Sequence, residues 1–318
     1  MATHDATPED TALVASHPAE CVSQFSLDPL AASMLRFYNL LATTGHWPLF
    51  SIHVPPQAPL SPSLTGSLRL SPSALGAHTH LPFPNDRVVY DRRAALFPRN
   101  RFLDLTDPED LEKSRDPTYS DSGDSLPPHI LTLAMPRADG SLVLLDTEIG
   151  AIWHYHISIA EGIAWRDSAE YRVARQQQRG PVPTNNDALK QEELDMEPLH
   201  LYAFLPPTPA AEWFDAQYAR WHSLRRLPFL DPEYDGDRDM DLDEVGPPGS
   251  FRRSLCERKQ STAVELMGQF GWPLKTEEGG GWDREGFVRA WEEAEKGLHR
   301  EALAEVDRDL EARGELDG

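Results

Sequence analysis

The chain reads as an α+β protein in which N-terminal and C-terminal helices pack against an antiparallel sheet, and three features predict it. Between Ile130 and Ile157, the apolar runs Ile130–Met135, Leu142–Leu145 and Ala151–Ile157 are separated by Arg137-Ala138-Asp139-Gly140 and Asp146-Thr147-Glu148-Ile149-Gly150. Asp-Gly between apolar runs is a hairpin signal, so this stretch predicts a three-stranded central meander over about 130–157. Ahead of it, Leu30, Met34, Phe37, Tyr38 and Leu41 recur at helical spacing. Behind it, Ala210–Arg226, Phe251–Phe270 and the stretch from Asp283 do the same.

Composition bounds the class further. A chain of 318 residues can bury a real core in one large domain or two modest ones. Its net charge of −22 repels phosphate backbones and anionic lipid, so neither nucleic acid nor membrane is expected as a partner. Cys21 and Cys256 lie far apart, which excludes a disulfide framework and a four-cysteine zinc site. Met1–Asp10 has neither the basic start nor the apolar centre of a secretory leader, and no apolar run is long enough to span a bilayer. Cytosol or nucleus is the expected location.

Residues 1–23 are small, polar and acidic and predict a disordered tail. Leu27–Gly45 is the first helix, with Asp28-Pro29 suited to its start and Gly45 to its stop. Phe50, Ile52 and Val54 alternate with Ser51 and His53, a pattern for a short strand that extends the sheet. Half of the 28 prolines fall between Pro48 and Pro136, predicting turns and extended segments. Leu68 with Leu70, Val88–Tyr90 and Phe102–Leu105 read there as short strands, and Ser114–Ser125 as an exposed loop. Arg166–Glu197 is a polar excursion, and the alternation in Leu199–Leu205 predicts another strand of the sheet.

The domain expected from these elements covers 24–230, with Pro-rich loops. Residues 231–250 read as an acidic disordered loop, since Asp231–Glu244 holds eight carboxylates and one arginine. A C-terminal helical segment, 251–318, follows. In its last helix Phe287, Trp291, Ala294, Leu298 and Ala302 share a face. Phe287 and Trp291 are expected to dock on the Ala210–Arg226 helix, with the end beyond Leu303 fraying.

Few residues point to chemistry. His154 and His156 are two apart, so on a strand both imidazoles face one side, and Glu161 follows five residues after His156. That spacing is similar to the first metal motif of cupin barrels and makes a metal-dependent enzyme the alternative reading. No second cupin motif follows, and the plainer reading is two histidines on a half-exposed strand face opposite Trp153 and Tyr155. His78 and His80 repeat the pattern inside the Pro-rich region. Counted from Asp231, the acidic run has Gly236 sixth but Leu242 twelfth, where a calcium loop needs glutamate. Neither a G-x-S-x-G elbow nor a Walker A loop occurs, and no cofactor is expected. Trp213, Trp221, Trp272 and Trp291 cluster in the last third, either as a packed seam or as a groove for a protein partner.

Four pieces carry a resemblance: LVLLDTEIGAI (Leu142–Ile152), AEWFDAQYARWHSLRRLPF (Ala211–Phe229), ELMGQFGWP (Glu265–Pro273) and DREGFVRAWEEA (Asp283–Ala294). They resemble a group of fungal proteins that is in turn similar to the SUKH superfamily of cell-wall-assembly regulators and immunity proteins. The resemblance implies an α+β fold and a non-catalytic role exercised by binding other proteins, and it assigns no site residue.

Overall fold

Five antiparallel strands form the main sheet in the order β3-β4-β5-β6-β7. They are Asn100–Phe102 (β3), Ile130–Pro136 (β4), Ser141–Asp146 (β5), Ala151–His156 (β6) and Thr208–Pro209 (β7). The structure is a computed structural model that describes residues 26–90, 94–97, 100–117, 125–137, 140–156, 207–228, 230, 250–273 and 281–313. The expected tail, the polar excursion, the Leu199–Leu205 strand and the acidic run lie outside those residues.

The predicted meander is the heart of the sheet. Leu131 faces Leu145 across β4–β5, and Leu144 faces Trp153 across β5–β6. Alternation sends Leu131, Leu133, Val143, Leu145 and Ile152 into the main core. Ile130, Leu142, Leu144 and Trp153 form a second apolar cluster. Both faces of β5 are therefore buried, which explains its unbroken Leu142–Leu145 run. The β5–β6 turn is held by the Asp146 carboxylate, which accepts the N–H groups of Glu148 (2.8 Å) and Ile149 (3.1 Å). Gly150 closes it at φ 66, a conformation natural to glycine.

Helix α1 (Leu27–Thr44) lays Leu30, Met34, Phe37, Tyr38 and Leu41 on the core and ends at Gly45 with φ 88. Helix α6 (Ala210–His222) packs beside it, with the Phe37 ring 6.2 Å from Phe214 and 6.5 Å from Trp221.

The Pro-rich region departs from expectation. Leu68 closes α2 (Pro62–Leu68), a helix followed by α3 (Pro72–His80), while Val88 and Val89 lie in α4 (Asp86–Val89). Helix α5 is Pro108–Lys113. The reason is local: Ser61, Ser71 and Asp107 accept backbone N–H groups as N-caps, and each precedes a proline at the first helical position. Proline there starts a helix instead of breaking one. Of Phe102–Leu105, only Phe102 joins the sheet.

The short strand near Phe50 is also corrected. Only Ile52–His53 (β1) is extended, and it pairs with Phe83–Pro84 (β2) in a separate two-stranded sheet. It does not extend the meander.

At the C-terminus α7 (Phe251–Gln269) and α8 (Arg284–Arg313) form a hairpin. Helix α8 packs principally against α7, so Phe287 meets Phe270 (6.4 Å) and Trp282 (5.1 Å) where α6 was expected. The link to the body runs through two indoles. Trp272 donates to the His222 carbonyl (3.0 Å) and Trp282 to the Thr43 carbonyl (2.8 Å). Beyond Leu303 the helix continues to Arg313, and Glu305 pairs with Arg258 at 2.5 Å.

Candidate functional site

Both histidines of the His-x-His pair lie on β6. His154 is exposed, on the face opposite buried Trp153, and its ring lies 4.2 Å from Phe97 and 5.7 Å from Trp213. His156 pairs with Ser141 through β6; its side chain and Glu161 lie outside the described residues. Among the described residues no group of three or more His, Cys, Asp or Glu is placed to hold a metal ion.

His78 and His80 lie on α3, not on an extended segment. A two-residue step on a helix turns through about 200°, so they cannot converge. His78 is buried and donates Nε2–H to the Leu105 carbonyl at 3.0 Å, while His80 donates Nδ1–H to Gly76 at 2.8 Å. Burial pushes the His78 pKa below the ordinary histidine value and keeps the ring neutral, although the bond to Leu105 pulls the other way.

Trp213, Trp221, Trp272 and Trp291 are all buried in the chain's own core. A buried indole offers no surface to a partner, so the seam reading describes where they stand. No helix among the described residues is long and apolar enough to cross a membrane.

One acid–base pair stands out. His53 Nε2 lies 3.3 Å from Asp104 Oδ2, and the other oxygen of Asp104 accepts the Thr106 hydroxyl (2.6 Å) and N–H (3.0 Å). Asp110 accepts the Asp104 N–H (3.1 Å) and pairs with Arg101 (3.3 Å). These bonds tie β1 to the turn between β3 and α5.

The loop from Gly45 to Val54 has a different character. Trp47 is fully buried and donates its indole N–H to the Ala94 carbonyl (2.9 Å), and His46 donates to the Ala95 carbonyl (3.1 Å). Ser51 is fully buried too, and its hydroxyl meets no hydrogen-bond partner among the described residues. Between these two anchors Leu49 is 48 % exposed and Phe50 87 %; Val54 (60 %) and Tyr90 (68 %) are exposed as well.

Phe50 stands at φ 61, a left-handed conformation that a bulky side chain rarely takes. Asn85 fixes it there: its side-chain amide donates to the Phe50 carbonyl and its backbone N–H to the Ser51 carbonyl, both at 2.9 Å. Asn85 also caps the start of α4, and Tyr90 caps its end. The alternation of Phe50, Ile52 and Val54 hid this arrangement, because it predicts Phe50 inside and Ser51 outside. The structure reverses both.

Comparison with protein-family models, with curated proteins and with solved structures found no match.

Proposed function

We propose that the chain is a non-catalytic protein-interaction module of regulatory type, and that the Leu49–Phe50 tip with Val54 and Tyr90 is its contact surface. The observation that carries this reading is Phe50: an aromatic ring 87 % exposed on a backbone at φ 61. Strained backbone of this kind costs about 1–3 kcal/mol. At 87 % exposed, the Phe50 ring packs on little among the described residues. An exposed aromatic on a backbone already fixed by hydrogen bonds loses less chain freedom on binding, which favours an interface anchor. What the SUKH-like resemblance implies points the same way. The cupin-type alternative rests on the His154, His156 and Glu161 spacing alone, and His154, tilted against Phe97 and edge-on to Trp213, adds nothing to it.

The test is site-specific crosslinking. A photoreactive phenylalanine at position 50, and separately at 90, should give a discrete protein adduct in the native cell. The same probe at exposed Leu303 should not. Equal, diffuse labelling from all three positions, or no adduct from 50 and 90, would overturn the reading.

A further inference from the structure

We infer that the outer edge of β1 accepts an uncharged, extended segment of a partner protein as an added strand, a binding mode that rests on the interaction function proposed above. β1 belongs to a sheet of two strands, so one of its edges has no neighbouring strand among the described residues. The register shows which backbone groups that edge carries. Ile52 lies opposite Pro84, which has no N–H, so these two cannot exchange a pair of hydrogen bonds. The Asn85 N–H donates to the Ser51 carbonyl at 2.9 Å, a bond that flanks a non-bonded pair, and His53 with Phe83 is then the bonded one. Ile52 therefore turns its own N–H and C=O away from β2. Val54, two residues on, has the same parity. Neither backbone meets a hydrogen-bond partner on that side among the described residues.

The edge is short and its ends are fixed. On one side the Phe50 carbonyl is already held by the Asn85 amide, and on the other Pro55 and Pro56 have no N–H to offer. Open edges are ordinarily guarded by charged side chains. This one is not: between Arg36 and Asp86 the sequence holds a single charged residue, Arg69, in a chain that is 26% charged. The side chains flanking the open backbone are instead the exposed Phe50 and Val54.

The missing charge decides the occupant. An acidic segment is repelled by a body at −22 and meets no local cation on β1 to reverse that. A basic segment finds no open carboxylate beside the edge, since Asp104 is largely buried and already bonded to His53 and Thr106. An uncharged strand satisfies the Ile52 and Val54 backbone and lays alternate apolar side chains on Phe50 and Val54. A second copy could offer the same groups from its own β1, but it would bring two bodies of −22 together.

The inference is tested by selecting random linear peptides displayed on phage against the full chain, then following amide hydrogen exchange by NMR with the selected peptide made synthetically. In the free chain the Ile52 and Val54 amides should exchange fast and the His53 amide slowly. Saturating peptide should protect Ile52 and Val54 together. N-methylation of the peptide along one edge, and Val54→Lys in the protein, should each weaken binding about tenfold or more, the latter without changing the circular dichroism. N-methylation along the peptide's other edge should leave binding as it was. Failure to select any peptide, selection of peptides rich in acidic or basic residues, or binding that leaves both amides exchanging fast would overturn the inference. So would protection of Ile52 and Val54 that rises with protein concentration alone, since a second copy would then hold the edge. If a partner captured by crosslinking from position 50 leaves both amides unprotected in the complex, the interaction function stands and this inference alone falls.

Discussion

Asn85 holds Phe50 in its left-handed conformation: the side-chain amide of one donates to the carbonyl of the other at 2.9 Å. The same side chain accepts the Arg87 N–H at 3.1 Å as the cap of α4, so one residue serves both the tip and the helix beside it. Asn85→Ala should cost about 1–2 kcal/mol in urea unfolding, the usual loss for a cap plus a tertiary hydrogen bond. It should also weaken partner binding more than its stability cost alone accounts for.

Replacement of Phe50 separates strain from contact. Glycine adopts φ 61 freely, whereas alanine keeps the strain, so Phe50→Gly should equal or exceed Phe50→Ala in stability despite its greater chain entropy. A denaturation midpoint for Phe50→Gly clearly below that of Phe50→Ala would show that the backbone there is not under strain.

The turn between α7 and α8 depends on Gly271. It stands at φ 99, and a Cβ added to it would fall inside the carbonyl oxygen of Gly281. Gly271→Ala should cost about 2–4 kcal/mol through strain and steric displacement together. Gly268, one turn earlier in α7, faces open space, and Gly268→Ala should stabilise by about 0.5–1 kcal/mol. Thermal melts of the two variants shifting in the same direction would contradict this.

Trp291 is buried among the residues of the main core. Trp291→Ala should cost about 3–5 kcal/mol by leaving a cavity, measured by urea unfolding. A variant as stable as the wild type would mean that α8 is not docked through this side chain.

His78 predicts a pH dependence. Its folded pKa lies below the ordinary value of 6.5, chiefly through burial, so the unfolded chain binds the proton more readily. The stability from a neutral His78 is therefore complete above about pH 6.5 and declines as pH falls through the lowered folded value. His78→Gln keeps a donor for the Leu105 carbonyl and removes the titration. The loss of melting temperature from pH 7 to pH 5 should be smaller in this variant than in the wild type.

What the sequence determined alone is what local periodicity encodes. Leu30 to Leu41 repeat at helical spacing and end at Gly45. The apolar runs on either side of Asp146–Gly150 pair across that turn, and Phe287, Trp291 and Ala302 share one helical face. Each pattern is read from neighbours within a few residues, and each element formed. The helices after Ser61, Ser71 and Asp107 were also legible, because a capping side chain before proline is a local start signal that outweighs proline's reputation as a breaker.

Tertiary structure alone decided the partners and the exposures. β1 pairs with β2 through residues about thirty apart, α8 packs on α7, and Trp272 and Trp282 anchor that hairpin to His222 and Thr43. Alternation assigns Phe50 to the core and Ser51 to solvent. Trp47 fills the buried position first and Asn85 grips the next two carbonyls, so the backbone turns over and Phe50 points outward. A period of two states only that neighbouring side chains oppose each other; which one meets water is set by bonds from residues far along the chain.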